Sequence, residues 1–221
     1  MPDPLRRLAG RAFAAVLFDL DGTLIDSTAA VGRSWARWAE ESGYAEPLHV
    51  VHGVPARAML ARILPADQVD AAFRHIEGLE IAETGGVTVL PGALAALAAI
   101  PGDRMAIVTS GTVRLAYARI EHTALPVPGV VITADDVRNG KPDPQPYLLA
   151  AQRLGVDPRD CLVVEDAHAG LTAGRAAGCA TLALRTTHPD EPLDADAVID
   201  TLADVRFVPA PAPSGWITLT A

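Results

Sequence analysis

The sequence predicts a doubly wound α/β fold that carries a helical insertion, and two observations support this fold class. Short, continuously apolar runs recur along the chain, each ends in polar residues, and helix-like segments separate them. Such runs are typical of strands buried on both faces of a parallel sheet, and strand–helix alternation is typical of a doubly wound sheet. The second observation is a long interval between Leu24 and Val89, which has helical signals and no convincing strand. We therefore expect a Rossmann-like core with an inserted α-helical cap.

The expected elements follow one another in a regular order. Strands are predicted at Ala14–Phe18, Met105–Val108, Val130–Ile132, Leu162–Val164 and Ala180–Leu184. Core helices are predicted at Ala93–Ile100, Thr112–Glu121, Gln145–Leu154 and Ala167–Ala176, and cap helices at Ala29–Glu41, Arg57–Ile63 and Ala66–Leu79. Trp216–Leu219 is expected to add a last short strand.

The insertion divides the chain into two parts. Residues 1–23 and 90–221 are expected to form the core, and residues 24–89 the cap. In doubly wound sheets, ligands bind in the crevice at the carboxyl ends of the strands. Because the insertion directly follows the first strand, we expect the cap to cover that crevice as a lid.

Composition excludes several classes of protein. The chain has 221 residues, 50% of them apolar, and a formal net charge of −9. A nucleic-acid binder that contacts the phosphate backbone needs the opposite sign of charge. The apolar run that ends at Phe18 is too short to span a bilayer, and Cys161 and Cys179 are too few for a disulfide framework. We expect a soluble, cytoplasmic protein with no nucleic-acid or membrane partner.

Acidic residues close two of the predicted strands. Asp19 and Asp21 follow the first strand, and Glu165 and Asp166 end the fourth. The positions that a calcium-binding EF-hand loop reserves for Gly and Glu hold other residues, which excludes that site. Acids gathered in one crevice repel each other, and a divalent cation resolves this conflict. Mg²⁺ is the cation that prefers carboxylate oxygens together with substrate phosphate.

Two further segments suit a phosphate group. Thr109, Ser110 and Gly111 lie between a predicted strand and a helix, where hydroxyl and backbone N–H groups bind phosphate or merely cap the helix. Lys141 is the only lysine among 18 basic residues, and it stands between a glycine and Pro142. An ammonium group is a compact cation that reaches a phosphoryl oxygen or a carboxylate. The lone lysine therefore marks a site where arginine cannot substitute, or else it is a leftover surface residue.

Four motifs in this order resemble those of the haloacid dehalogenase superfamily. They are FDLDGTL from Phe18, Thr109, Lys141 within GKP, and the Glu165–Asp166 pair, and the resemblance covers Ala14 to Thr187. The place of the insertion is similar to that of the branch with a helical cap after the first strand. The stretches VTSGT, NGKPDPQPYL and VVEDAHAGLTAGRAAGC look like the group of glycerol-3-phosphatases and 2-deoxyglucose-6-phosphatases.

The resemblance implies a covalent mechanism. Asp19 would be the nucleophile that forms an aspartyl-phosphate. Asp21 would protonate the leaving alcohol as general acid and then activate water as general base. Thr109, Ser110 and Gly111 would hold the phosphoryl oxygens through hydroxyl and amide groups.

The resemblance also implies how charge is balanced at the site. Lys141 would neutralise charge on the nucleophile and on the phosphoryl group, so that it serves in catalysis and in phosphate binding. Asp19, Asp166 and the backbone carbonyl of Asp21 would bind Mg²⁺. Glu165 would be either a further metal ligand or a residue behind the ligands.

Cap selectivity is expected to come from one loop. The segment HGVPAR looks like the specificity loop of related caps, in which His52 and Arg57 would contact the substrate. The alternative is that Arg57 faces solvent.

The function expected from the sequence is a Mg²⁺-dependent phosphatase that acts on small phosphomonoesters such as glycerol phosphate or a sugar phosphate. One alternative is a sugar-phosphate mutase, although Val31 stands where the resemblance places the cap histidine of the mutases. A second alternative is a regulatory protein that binds phosphate without turnover. The expected partner is a small phosphorylated metabolite, and the expected state is a monomer or homodimer.

Overall fold

The computed structural model describes residues 5–8, 10–46, 53–209 and 216–220. In chain order its strands are β1 (Ala12–Phe13), β2 (Ala15–Phe18), β3 (Ile25–Asp26), β4 (Thr88–Val89), β5 (Met105–Val108), β6 (Val130–Ile132), β7 (Cys161–Glu165), β8 (Ala180–Leu184), β9 (Ala197–Ile199), β10 (Arg206–Pro209) and β11 (Ile217–Thr220). The helices are α1 (Thr28–Ser42), α2 (Ala56–Ile63), α3 (Ala66–Ala82), α4 (Ala93–Ala99), α5 (Val113–Thr123), α6 (Gln145–Leu154) and α7 (His168–Ala176).

A parallel six-stranded sheet forms the centre of the fold, in the order β6-β5-β2-β7-β8-β9. Every neighbouring pair in it is parallel, which confirms the predicted fold class. The first of these strands in the chain, β2, lies in the middle, with β5 on one side and β7 on the other. The order therefore reverses at β2, and the crevice at its carboxyl end is the place where this kind of sheet binds ligands.

The apolar runs form strands because both faces of the sheet are covered. In β2, Val16 and Phe18 pack into one hydrophobic cluster, whereas Ala15 and Leu17 pack into a second one. Successive side chains of a strand point to opposite faces, so a strand buried on both faces needs apolar residues at every position. The five predicted strands are confirmed, whereas β9 was not predicted because its three residues are too few to make a pattern.

A second, antiparallel sheet in the order β1-β11-β10 lies beside the main one. The ring of Phe207 meets that of Phe18 edge to face, with the ring centroids 5.7 Å apart. The last strand predicted at Trp216–Leu219 occurs one residue later, at Ile217–Thr220.

Helices α1, α2 and α3 pack around a hydrophobic cluster of their own, which includes Trp35, Trp38 and Leu60. The expectation that the interval from Leu24 to Val89 contains no strand is wrong at its two ends. There β3 and β4 pair antiparallel, and this stem brings both ends of the helical segment together. Two residues per strand are too few to be recognised from sequence. None of the helices in the described ranges is both long and apolar enough to cross a lipid bilayer.

Candidate active site

The carboxylate of Asp19 lies buried at the carboxyl end of β2. The backbone N–H of Asp19 donates to the Val164 carbonyl at 3.0 Å, which continues the ladder between β2 and β7. Its Oδ1 atom accepts a hydrogen bond from Lys141 Nζ at 2.5 Å. The central strand therefore ends in a carboxylate that the ammonium group of Lys141 holds in place.

Lys141 uses all three of its N–H donors inside the protein. Besides Asp19, the Nζ atom donates to Glu165 Oε1 at 2.6 Å and to the Val108 carbonyl at 2.9 Å. The side chain is 1% exposed. Burial alone lowers the pKa of Lys141, but the carboxylates of Asp19 and Glu165 outweigh burial and raise the pKa above its usual value. The ammonium group is therefore charged at neutral pH.

Glu165 is fully buried, and both of its oxygens accept hydrogen bonds. Oε1 accepts from Lys141 and from the Tyr147 hydroxyl at 2.9 Å, while Oε2 accepts from the backbone N–H groups of Asp166 and Ala167 at 3.1 Å each. A Cβ atom on Gly170 would lie 1.6 Å from Glu165 Oε1, so α7 can approach this carboxylate only with glycine there. Glu165 thus anchors Lys141 from behind.

Asp166 stands beside Asp19 and is held by hydroxyl groups. Thr23 Oγ1 donates to Asp166 Oδ1 at 3.1 Å, and Thr187 Oγ1 donates to Oδ2. Gly22 has φ +89°, and a Cβ atom on it would lie 2.2 Å from Asp166 Oδ2. The turn after β2 therefore needs glycine both for its backbone conformation and for the close approach of this carboxylate.

The buried charges fit a divalent cation. Asp19, Glu165 and Asp166 each offer an oxygen within 4.8 Å of the others, and Lys141 is the cation that contacts this cluster. Burial raises the pKa of Asp19 well above its usual value, and burial together with Glu165 raises that of Asp166 to about 7. A divalent cation would return both carboxyl groups to the ionised form at neutral pH. An all-oxygen donor set suits Mg²⁺.

The carboxylate of Asp21 points to different partners. Its Oδ1 atom accepts hydrogen bonds from Ser27 Oγ at 2.7 Å and from Arg119 NH1 at 2.8 Å. The Asp21 side chain is 24% exposed and lines a cavity of about 570 Å³ between the helical segment and the sheet. Asp19 lines the same cavity, so the two aspartates face one space from separate hydrogen-bond networks.

The residues after β5 also line this cavity. Thr109 is buried, and its Oγ1 atom accepts from the Gly111 N–H at 3.0 Å, which leaves the hydroxyl proton for another acceptor. Ser110 instead donates its hydroxyl to the Gly53 carbonyl at 3.0 Å, a contact that ties the helical segment to the sheet. Among the described residues, the Thr109 hydroxyl thus has no acceptor of its own and can donate to a phosphate oxygen.

The cap loop covers the cavity from the opposite side. Gly53 packs on Ala167, and Pro55 packs on Gly140. Arg57 lines the cavity, forms an ion pair with Asp70 and lies over the Phe73 ring at 5.4 Å. His52, the other predicted residue of this loop, lies outside the described residues.

The residues of the site that were not singled out from the sequence include Ser27, Arg119, Tyr147 and Thr187. Thr187 follows β8, so the rule that polar residues after parallel strands converge would have found it. Arg119 occupies the apolar face of α5 next to Leu115 and Ile120, where a charged residue is unusual. Tyr147 could not be recognised from the sequence, because a tyrosine on a helix is usually part of the hydrophobic core, and this one is indeed fully buried.

Comparison with known proteins agrees with this geometry. The model of the family described as haloacid dehalogenase-like hydrolase matches residues 13–178. The chain is 42% identical over 203 residues to hexitol phosphatase A of Escherichia coli (strain K12), which covers 88% of this chain and 94% of that protein. It is 36% identical over 187 residues to glycerol-1-phosphate phosphohydrolase 2 of Saccharomyces cerevisiae, with 78% and 75% covered.

The fold is shared more widely. CbbY from Rhodobacter sphaeroides, solved as a mutant in complex with xylulose-(1,5)bisphosphate, has a TM-score of 0.76 at 22% identity and covers 87% of this chain and 96% of its own. At that identity the likeness is one of fold. The family match and the sequence relatives go further: this chain belongs to the haloacid dehalogenase-like hydrolases.

Proposed function

We propose that this protein is a Mg²⁺-dependent phosphatase that hydrolyses monophosphate esters of small polyols or sugars through a phosphoaspartate on Asp19. The observation that carries the proposal is the position of Asp19. Its carboxylate is held by Lys141, belongs to the acidic cluster and lines the covered cavity where the strand order of the sheet reverses.

In the first step, a carboxylate oxygen of Asp19 attacks the phosphorus atom of the ester. The bond between phosphorus and the ester oxygen breaks, and protonated Asp21 gives its proton to the leaving alkoxide. Lys141 balances the negative charge on Asp19 and on the phosphoryl group. The Thr109 hydroxyl is the donor for the phosphoryl oxygens, and the Gly111 N–H, which donates to Thr109 Oγ1, holds that hydroxyl in place.

In the second step, the Asp21 carboxylate takes a proton from water as the water oxygen attacks the phosphorus. The bond between phosphorus and the Asp19 oxygen breaks, which releases inorganic phosphate and restores the Asp19 carboxylate. Asp21 thereby regains the proton for the next cycle.

Mg²⁺ would be held by Asp19, Asp166 and the Asp21 backbone carbonyl. When bound, it supplies positive charge that orients the phosphoryl group and screens it from the acidic cluster. Glu165 takes part indirectly, since its oxygens hold Lys141, Tyr147 and two backbone N–H groups.

The substrate class is supported by the relatives and by the size of the cavity. Hexitol phosphatase A and glycerol-1-phosphate phosphohydrolase 2 carry polyol phosphates in their names. A cavity of about 570 Å³ has room for a phosphorylated hexitol as well as for the smaller glycerol phosphate. Arg57 and His52 are the cap-loop residues that we propose to contact the hydroxyl groups of the substrate.

A phosphate-release screen tests the function. The panel contains polyol, sugar and nucleotide monophosphates with Mg²⁺, and Asp19→Asn is the inactive control. We expect inorganic phosphate from polyol or sugar phosphates. An isomeric sugar phosphate without free phosphate would instead identify a mutase, and no turnover of any ester would identify a phosphate-binding protein.

The remaining expectations are part of the proposal. The cap spans residues 24–89, and the core spans residues 1–23 and 90–221; the separate hydrophobic cluster of the helical segment supports this division. A cytoplasmic location is supported by the two free, buried cysteines. The expected state is a monomer or a homodimer, and light scattering of the purified protein distinguishes the two.

A further inference from the structure

Arg119 is a buried arginine that joins the core to the cap. Its side chain is 5% exposed and lies on the core helix α5. The guanidinium donates to Asp21 Oδ1 at 2.8 Å and forms an ion pair with Glu80 of the cap helix α3 at 3.8 Å. The Glu80 side chain is 7% exposed, so both ends of this pair are shielded from water. A charged residue at this depth is costly unless it is paired.

Both donors to Asp21 depend on the cap. Ser27, which donates to the same Oδ1 atom at 2.7 Å, lies between the stem strand β3 and the first cap helix. The position of the Arg119 guanidinium depends on the cap because it forms an ion pair with Glu80. In the described part of the chain no group donates to Asp21 Oδ2, which leaves this oxygen to exchange a proton.

The contact between α3 and α5 is polar, unlike the apolar interior of the cap. Thr112 donates to Glu77 Oε1 at 2.6 Å, and Arg114 lies 3.6 Å from Glu77 Oε2. Glu77 and Glu80 of the cap helix α3 thus face Arg114 and Arg119 of the core helix α5 and the hydroxyl of Thr112, which caps α5. Polar groups that separate form new hydrogen bonds with water, so separating them costs little free energy. This surface therefore suits a cap that docks and undocks.

We propose that Arg119 is a positioning residue that couples the docking of α3 to the placement of Asp21, so that Asp21 Oδ2 meets the leaving group and the attacking water only under a closed cap. This inference rests on the proposed function. It adds that Glu80, which does not touch the reacting atoms, acts on catalysis through Arg119. An undocked cap removes Glu80 from Arg119 and frees the guanidinium to move away from Asp21.

The test follows the phosphoaspartate directly by rapid quench with labelled substrate. In Arg119→Gln, we expect its hydrolysis to slow by about 10- to 100-fold, part of what general acid–base catalysis contributes, so that labelled enzyme accumulates. We expect kcat to fall with it while KM does not rise, because the phosphate-binding residues are untouched. Arg153→Gln on the core helix α6 is the control. Its partner is Asp136 rather than Asp21 or a residue of α3, and its side chain is 42% exposed, so neither quantity should change.

A double-mutant cycle tests the coupling. Arg119→Gln leaves Glu80 buried without a cation, so its Tm should fall, and Arg119→Gln with Glu80→Gln should restore the Tm. Glu80→Gln alone should lower kcat, but it should add nothing in the Arg119→Gln background. The inference fails if the double variant recovers its Tm and hydrolyses the phosphoaspartate as fast as wild type. It also fails if the two substitutions reduce kcat independently.

The failure of the inference and of the proposed function are distinguishable. A wild type that releases no phosphate from any ester overturns both. An active wild type whose Arg119→Gln variant matches Arg153→Gln overturns the role of Arg119 alone.

Discussion

Replacing Lys141 with arginine tests whether this site needs an ammonium group. The Nζ atom contacts three acceptors within 2.9 Å, and the side chain is 1% exposed. A guanidinium is wider than the space an ammonium fills, and overpacking a buried site costs about 1–3 kcal/mol. Misplacing the charge that balances the phosphoryl group should lower kcat by about 100- to 1,000-fold, the usual effect of losing one such contact.

Lys141→Met separates the electrostatic role from the steric one. It leaves Asp19 and Glu165 buried without their cation, which destabilises the fold by about 3–5 kcal/mol. For a chain of this size each kcal/mol moves the Tm by about 2–4 °C, so a decrease of roughly 6–20 °C is expected by calorimetry.

Arg159→Lys is the matched control. It makes the reverse exchange at an exposed ion pair with Asp157, where the arginine side chain is 80% exposed. Such an exposed pair contributes little to stability because water screens both charges, so the Tm and kcat should stay at wild-type values. Wild-type kcat in Lys141→Arg would refute the reasoning about the ammonium group, and an unchanged Tm in Lys141→Met would refute the reasoning about buried charge.

Three further predictions concern the nucleophile, the metal and the turn behind them. Asp19→Asn should form no labelled phosphoenzyme and release no phosphate, while its circular dichroism stays that of the wild type; turnover in this variant would exclude the covalent route. A chelator should abolish phosphate release, and added Mg²⁺ should restore it. In the chelated protein, Asp166 keeps a proton that the unfolded chain has lost, because its pKa is raised to about 7. The free energy of unfolding should therefore fall by at least about 1 kcal/mol per pH unit between about pH 4 and pH 7, since the raised pKa of Asp19 acts in the same direction. Mg²⁺ should flatten this slope and Asp166→Asn should reduce it; a Tm that rises with pH in all samples would contradict the reasoning. Gly22→Ala should lose Mg²⁺-dependent activity and stability because the added Cβ atom would lie 2.2 Å from Asp166 Oδ2. Gly32→Ala in α1 is the control, since a Cβ atom there has open space around it, and it should keep both properties. Equal effects of the two substitutions would show that the close approach is unimportant.

Much of the core and of the site can be predicted from the sequence because the relevant signals are local. An apolar run of four or five residues that ends in acidic or hydroxyl residues is a property of a few neighbours, and parallel strands bring their carboxyl ends to one edge. Asp19, Thr109 and Asp166 could be assigned to one crevice for that reason. Lys141 was recognisable because it is the only lysine of the chain.

Only the tertiary structure decided which partners these residues have. Arg119 reaches Asp21 from 98 positions away, and Thr23 reaches Asp166 across 143. Neither pairing has a local signature, since each depends on how helices and strand ends pack rather than on spacing along the chain. The same holds for Glu165, which the sequence left open as a metal ligand or a residue behind the ligands, and whose Oε1 atom accepts from Lys141 and Tyr147. The sequence thus determined which chemical groups meet at the sheet edge, whereas packing and burial decided their partners and their charges.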